Sequence, residues 1–589
     1  MADRKPLSAA LLLLPLLALG ALFTTQYLSP TSAQTEQDAP VVAQEQAPAA
    51  GTPRALSPAE AQAREQGQKV YTLQNDAFAV SFTDLNTAIT SVTIKGKRYL
   101  VDGKPYELVT TDKERYLPFA PSFSGVTIPP DARWTLIDSS DERLEFRWQG
   151  AGVSATRTWT LSERPYQLES LIEVNNEGPT TLEAALTIRS AHYVSRAEEK
   201  GGFMARPSPK LSHGICQQGD ETFRQDREDL LLNGEEGQEL QSWGPGIEFV
   251  ALSSVYFATI AAPEGETAER CELFTTDRGG TLSDPDGSLF EAALVYPSRQ
   301  VAPGGKASFR TSIYAGPKDF DALEGFGHGA SNVIDLGWFS FIAKGMSWLL
   351  RTIQGWVGNW GLAIILLTIF VRLLLLPAVV PQFKNMAKQR ALKPEIDRIN
   401  ELYKDDREKK GAAMMELWRK NKVNPLGGCL PVLLQMPIFF ALYQTLATSI
   451  ELYHAPFVWW WKDLSSPDPY YVLPLMLGLL MFVQQKLTPV AMDAAQAKVM
   501  LYVMPLMMTA FMILLPTGLC LYMVTSSAIG ISQQRYMYWK MDQEQAQIEP
   551  HTGLTDDPDG KDDATASKSV ATPKRAQSRR KKRPGRGRA

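Results

Sequence analysis

Cysteine is nearly absent: the chain has four in 589 residues. That is too few for a disulfide scaffold or a multi-zinc architecture. Histidine is almost as scarce, and the five residues His192, His213, His328, His454 and His551 form neither HExxH nor HxxxH spacing. No P-loop pattern (GxxxxGKS or GxxxxGKT) occurs, which argues against an ATP-driven motor. No catalytic residue, metal site or cofactor is assigned. A dominant charge sign is lacking too. The 60 basic residues face 64 acidic ones, for a net charge of -4, which argues against a nucleic-acid-binding chain. The mean hydropathy of -0.17 hides three different compositions along the chain.

Long apolar runs are what the chain has instead. Leu7 to Leu28 is uncharged and follows Arg4 and Lys5. At about 1.5 Å per residue such a run spans the ~30 Å hydrocarbon core, and the basic flank places residue 1 in the cytoplasm. Residues 1–28 therefore read as an N-terminal transmembrane anchor. A cleaved signal peptide is the alternative, because Thr31-Ser32-Ala33 loosely resembles a cleavage site. Either way the following segment is exported. Residues 29–68, rich in Ala, Gln, Pro, Glu and Thr, read as a disordered linker.

Residues 69–330 switch to period two. Phe78-Ala79-Val80-Ser81-Phe82, Leu144-Glu145-Phe146-Arg147-Trp148 and Ala155-Thr156-Arg157-Thr158-Trp159-Thr160-Leu161 alternate apolar and polar positions, punctuated by turns such as Asn175-Asn176-Glu177-Gly178. Many short strands over this length predict a large antiparallel β-sandwich. Cys216 and Cys271 lie within it, either paired or as two thiols. Its carboxylates and histidines show no catalytic spacing, so a structural or partner-binding domain is the reading.

Residues 335–360 are aromatic and amphipathic, interrupted by Lys344 and Arg351, as in an interfacial helix. Apolar blocks follow at 361–380, 427–450, 469–487 and 499–533, the last broken by Pro516-Thr517-Gly518 into 499–515 and 517–534. With the anchor these make six transmembrane helices. The loop 382–426 has twelve basic against seven acidic residues, whereas 451–468 has only Lys462 against three acids. Residues 574–589 hold nine basic residues and no acid. The positive-inside rule then puts loop 382–426 and both termini in the cytoplasm. Trp459-Trp460-Trp461 falls at the outer interface. The fold class is a polytopic α-helical membrane protein carrying a large periplasmic antiparallel β-sandwich.

Arg372 lies well inside its apolar block, and none of the five C-terminal blocks contains Asp or Glu. A charge at mid-helix costs about 2.5–3.5 kcal/mol on insertion scales. A proton relay needs intramembrane carboxylates or histidines, and a selectivity ring needs repeated charges. Neither is present, so Arg372 is read as facing water or a transient partner. Thr368 is one turn earlier on the same face. Gln435, Gln485, Tyr522, Thr525, Ser526 and Ser527 supply further polarity from other blocks. The alternative is that Arg372 snorkels and these side chains join helices. Eleven of the 18 methionines fall between Met476 and Met541, a composition suited either to varied apolar partners or to ordinary packing.

Loop 382–426 reads as a helical hairpin turning at Asp405-Asp406, with Asp405–Lys409 and Asp406–Lys410 at i,i+4. Its Lys409, Lys410, Met414 and Met415 make a docking element, or else a solvated face. Residues 535–589 end in a basic disordered tail. There Arg579, Arg580, Lys581, Lys582 and Arg583 suit anionic lipids or ribosomal RNA.

At Gly358-Asn359-Trp360-Gly361, Val371-Arg372 with Pro377, Met386-Ala387-Lys388 and Lys422-Val423-Asn424-Pro425-Leu426-Gly427-Gly428-Cys429, the chain resembles the YidC family of membrane protein insertases in its long Gram-negative form. Gln435-Met436-Pro437-Ile438-Phe439, Asp468-Pro469-Tyr470-Tyr471-Val472-Leu473-Pro474 and Pro516-Thr517-Gly518-Leu519 continue the match in order across residues 336–540. The resemblance implies a non-enzymatic insertase and chaperone of the bacterial inner membrane, acting on nascent membrane proteins alone or with the Sec translocon and its accessory subunits. It implies a five-helix insertase core at 361–534, a hydrophilic groove containing Arg372 and Thr368, a periplasmic supersandwich, and a ribosome-contacting tail. Met523 stands where many relatives carry a second aromatic beside the Tyr522 position. Two rival readings remain: a transporter of anionic solutes using Arg372, which predicts internal repeats that are not seen, and a membrane-anchored carbohydrate-active or carbohydrate-binding protein.

Overall fold

The computed structural model describes residues 68–545 apart from 102, 112–116, 130, 196–212, 227–228, 231–240, 279–286, 405, 424–429 and 489–496. The anchor at 1–28, nearly all of the linker at 29–68, and Arg579, Arg580, Lys581, Lys582 and Arg583 lie outside the described residues, as do Asp405 and the Asn424–Cys429 stretch.

Alternation becomes strands from Val70 to Pro317. Val153–Leu161 shows why: Ala155, Arg157 and Trp159 are buried, while the intervening threonines are half-exposed. This strand sits in a nine-stranded antiparallel sheet. The order is Glu221–Gln225, His213–Gln218, Ile247–Ser253, Phe257–Pro263, Lys306–Pro317, Gln167–Asn176, Val153–Leu161, Arg143–Gly150, Thr135–Ser139. A six-stranded sheet centres on Gly287–Val295 and Leu182–Ser195, and a five-stranded sheet on Ile89–Ile94, with Phe78–Thr83 beside it. One apolar core takes Phe82, Trp159, Cys216 and Leu294 from all three sheets. Cys216 and Cys271 form a disulfide with Cα atoms 6.0 Å apart, joining the nine-stranded sheet to the six-stranded one.

The pattern had set a cation among inward positions, and the sheet keeps it there. Arg157 is fully buried, its guanidinium 4.0 Å from the centre of the Trp159 ring. It donates to Phe119 O (2.9 Å), Thr87 O (3.3 Å), Thr87 Oγ1 (3.2 Å) and Ser170 Oγ (3.0 Å). No carboxylate pairs with it among the described residues. Burial pushes its pKa well down, and hydrogen bonds to carbonyls with cation–π contact take the place of an anion.

Helix α1 (Phe320–Phe326) follows the last strand. Asp319 caps it by accepting from Ala322 N at 2.9 Å. Leu323 and Phe326 pack on Phe249, Ile260 and Tyr314 of the nine-stranded sheet. The chain then enters α2 (Ser340–Val357) and α3 (Trp360–Ala391). Gly358 ends α2 in the left-handed region at φ 67°, and Asn359 caps α3 by accepting from Leu362 N at 3.0 Å. Gly361 lies directly beneath the Phe457 ring, where a Cβ would collide. Next come α4 (Lys393–Leu402), α5 (Arg407–Lys420), α6 (Leu430–Thr448), α7 (Val472–Leu487), a π segment at Val499–Val503, α8 (Met504–Met512) and α9 (Thr517–Gln545).

Two boundaries depart from the apolar-block reading. The block 361–380 does not end at Pro377 or Pro381; α3 runs through both prolines to Ala391. Thirty-two residues at ~1.5 Å make a rod of roughly 48 Å, well beyond a ~30 Å core. Likewise α9 extends to Gln545. The two overhanging ends pack together through Phe383, Met386, Ala387, Met537 and Tyr538. Among the described residues, α3 is the one helix that is both long and apolar enough to cross a membrane.

Replacing both Cys216 and Cys271 by Ser in the full chain should lower β-domain stability by about 4 kcal/mol, on the chain-entropy cost of a 55-residue loop. A thermal melt reads this directly, and an unchanged midpoint would contradict it. Arg157→Ala strands buried carbonyls and should cost about 3 kcal/mol in the same measurement; a loss below about 1 kcal/mol would show that the network is dispensable.

Candidate functional site

The candidate site starts from one helix face. Along α3, Ile364, Leu367, Thr368 and Val371 are buried, while Phe370, Leu373 and Leu374 are exposed. Arg372 sits on the boundary, half-buried. Its side chain reaches α9, where Nε and Nη2 both donate to Ser526 Oγ at 3.0 and 2.6 Å. The guanidinium rests over Gly530, one turn further along α9, 3.7 Å from where a Cβ would stand. One turn before Ser526, the Tyr522 hydroxyl accepts from Gln435 Nε2 of α6 at 2.8 Å. Gln435, Tyr522, Ser526 and Arg372 thus form a polar line across three helices. A hydroxyl satisfies donors but does not neutralise charge. No carboxylate lies within ion-pair distance of Arg372 among the described residues.

The remaining sequence candidates separate. Thr368 is buried, and its hydroxyl donates to Ile364 O at 2.7 Å. That bond to its own backbone at i-4 absorbs the donor, and no hydrogen bond joins Thr368 to the polar line among the described residues. Gln485 has its Nε2 4.0 Å from Met504 Sδ, off the polar line. Met523 is half-buried beside Tyr522. Met414 does not face outward. It packs with Leu392, Ile396, Ile399 and Leu417 in the hairpin's own core, leaving exposed Met415 and Leu402 on the surface. Asp406 caps α5 through Lys409 N at 3.0 Å and pairs with Lys409 Nζ at 3.2 Å, so the contact is i,i+3 and not the expected Asp406–Lys410. Lys409 is exposed and Lys410 half-exposed.

What holds the three helices in place is a loop that charge counting passed over. Asp463 Oδ1 accepts from Ser465 N (2.8 Å), Ser465 Oγ (2.7 Å) and His454 N (3.1 Å), and Oδ2 accepts from Ser466 Oγ at 2.6 Å. The loop so fixed presents Ser466 O to Thr517 N and Oγ1 at 2.8 and 2.7 Å, and Leu464 O to Gly518 N at 2.9 Å. That seats the start of α9. Asp468, buried, caps α7 by accepting from Leu473 N at 2.8 Å. The same loop leans on the β-domain through Tyr453 against Tyr256 and through His454 Nδ1, 3.0 Å from Arg98 O. The contacts that join this loop to α9 and to the β-domain link residues tens to hundreds of positions apart, so no local pattern announces them.

The arrangement offers neither a nucleophile–base pair on the polar line nor, among the described residues, a cluster of three metal-binding side chains. Chemically it is a lone cation in an otherwise apolar helix bundle, able to attract a polar or anionic group.

Comparison with known proteins places these features. The model described as YidC periplasmic domain matches residues 66–349, and the 60Kd inner membrane protein model matches 352–544. A membrane protein insertase YidC of Anaeromyxobacter sp. (strain Fw109-5) is 33% identical over 492 residues, covering 80% of this chain and 85% of that protein. The insertase YidC of Vibrio cholerae serotype O1 (strain M66-2) is 37% identical over 412 residues, 69% of this chain and 72% of that one. Among solved structures, an active YidC insertase with its first transmembrane domain resolved aligns over 80% of this chain and 93% of its own at 18% identity and a TM-score of 0.35. A putative aldose 1-epimerase of Escherichia coli K12 aligns over 42% of this chain and 99% of its own at 13% identity and a TM-score of 0.28. The sequence identities, the two family models in order, and the β-rich domain followed by a helical region make the chain a member of the YidC family of inner-membrane protein insertases, with a periplasmic domain.

Proposed function

We propose that the chain inserts nascent membrane proteins through a hydrophilic groove whose polar wall is Gln435, Tyr522, Ser526 and Arg372. The observation that carries this reading is the guanidinium of Arg372, bonded to a serine and, among the described residues, to no carboxylate. An apolar segment slides between lipid and the groove, and its short polar or acidic flank is drawn in by Arg372. Magnitudes decide why such help matters. Twenty apolar residues gain roughly 6–12 kcal/mol in lipid at about 0.3–0.6 each. Three flanking charges cost about 9 kcal/mol at ~3 each. The sum runs from about 3 kcal/mol unfavourable to about 3 kcal/mol favourable while the flank is within the membrane, so the charged flank sets the barrier. A polar line part-way across lowers that barrier without consuming a nucleotide.

In this reading six helices span the membrane with both termini in the cytoplasm, and the overhanging ends of α3 and α9 stand in the cytoplasm with the α4–α5 hairpin. The exposed Met415, Lys409 and Lys410 dock incoming complexes, and the basic tail contacts the ribosome or anionic lipids. Chaperone action and cooperation with the Sec translocon and its accessory subunits extend the same groove chemistry to clients delivered from a channel.

Photo-crosslinkers at Gln435 and Met523 should capture a nascent inner-membrane protein, and one at buried Thr368 should not. Lipid adducts alone at all three positions would overturn the groove. Arg372→Glu should slow insertion of a client with an acidic flank by at least tenfold, while Arg372→Lys retains most of the rate. Equal rates for the two variants in a vesicle insertion assay would contradict the role given to the charge.

A further inference from the structure

A second polar feature lies away from the groove. A cavity of about 410 Å³ sits between α1, α2 and the end of α6. At roughly 30 Å³ per water it has room for about a dozen heavy atoms. Helix α2 lines it with Lys344, Ser347 and Arg351, at i, i+3 and i+7, which is one stripe of the helix. Facing them are Asp321 and Glu324 of α1, and Glu451 just beyond α6. Arg351 is engaged on both sides, 3.3 Å from Asp321 Oδ1 and 2.6 Å from Glu451 Oε1. Lys344 and Glu324 are exposed and have no ion-pair partner among the described residues.

Two further observations say what fits. Trp348 lines the cavity and is exposed, and Trp338, Phe341 and Trp356 are exposed on or beside the same helix. Such an aromatic face seats at the depth of lipid headgroups. The charge is balanced: the carboxylates Asp321, Glu324 and Glu451 face Lys344, Arg351 and at most Lys318. Burial pushes Lys318 down to about 7, and its Nζ is held by Ser253 Oγ at 3.3 Å. The cavity therefore has no positive surplus to favour an anion. It suits a ligand carrying both signs, and its carboxylates want N–H donors, which a quaternary ammonium lacks.

We propose that this cavity binds the headgroup of a zwitterionic phospholipid with a primary amine, its phosphate on Lys344 and Ser347 and its ammonium on Glu324 and Asp321. The inference rests on the chain's membrane placement but not on the groove. Because α1 belongs to the β-domain, α2 lies along the interface and Glu451 follows a core helix, the bound lipid links all three and makes their docking depend on lipid composition.

The test uses the full chain in nanodiscs containing equal phosphatidylethanolamine, phosphatidylcholine and phosphatidylglycerol, released into detergent and weighed by native mass spectrometry. One phosphatidylethanolamine should be retained in preference to the other two lipids, and Lys344→Gln and Glu324→Gln, on separate helices, should each reduce that retention at least fivefold. Retention by either variant equal to that of the unsubstituted chain, or preference for phosphatidylglycerol or phosphatidylcholine, would overturn the proposal. Displacement by millimolar O-phosphoethanolamine as complete as by the lipid would also overturn it, since a soluble zwitterion would then be the ligand. Insertion rates from the same discs report separately on the groove.

Discussion

The proposed insertion activity turns on a positive charge with a neutral partner. Arg372 reaches from α3 to Ser526 of α9 and finds a hydroxyl there. Supplying a carboxylate would have stabilised the folded bundle locally and removed its attraction for anything passing through, because the two charges would satisfy one another. A serine holds the guanidinium in one position and leaves its charge available. Gly530 beneath it gives the planar group a flat place to lie. In the proposed function a fixed counter-charge would compete with each client's acidic flank.

Such a charge is tolerated only if the helices around it hold still. The holding is done at the far end of the bundle by hydrogen bonds. Asp463 organises the loop between α6 and α7, and that loop offers carbonyls to Thr517 and Gly518 at the start of α9. Asn359 and Gly361 bring the start of α3 against Phe457 of the same loop. The two helices that carry Arg372 and Ser526 are therefore registered against one common element. The β-domain rests on that element through Tyr256 and Arg98. Its sheets share one core, tied by a disulfide and by the buried Arg157 network.

The strands were legible because side-chain alternation is a local property, and so were the apolar blocks. The lone Arg372 stood out for the same reason: an absence of acids can be counted. Helical spacing gives the face of Thr368 but not that its hydroxyl bonds its own backbone at Ile364 O. Met414 misled because a short amphipathic hairpin has an inside of its own. The apolar block ends at residue 380, yet the helix continues through Pro377 and Pro381 to Ala391, because apolarity marks the membrane-suited stretch and not the helix end. The Ser466–Thr517 and Arg351–Glu451 contacts were not visible, since each depends on residues far apart in the chain meeting through the fold.

The account's central claim is that the charge stands in water within the bundle. The direct measurement is the alkylation rate of Met523→Cys, in a chain lacking Cys429 and Cys520, by a membrane-impermeant maleimide applied to the cytoplasmic face of sealed vesicles. The rate should approach that of an exposed cytoplasmic position such as Met415→Cys. A rate as slow as that of outward-facing Leu374→Cys would mean that the polar line is dry and the groove does not exist.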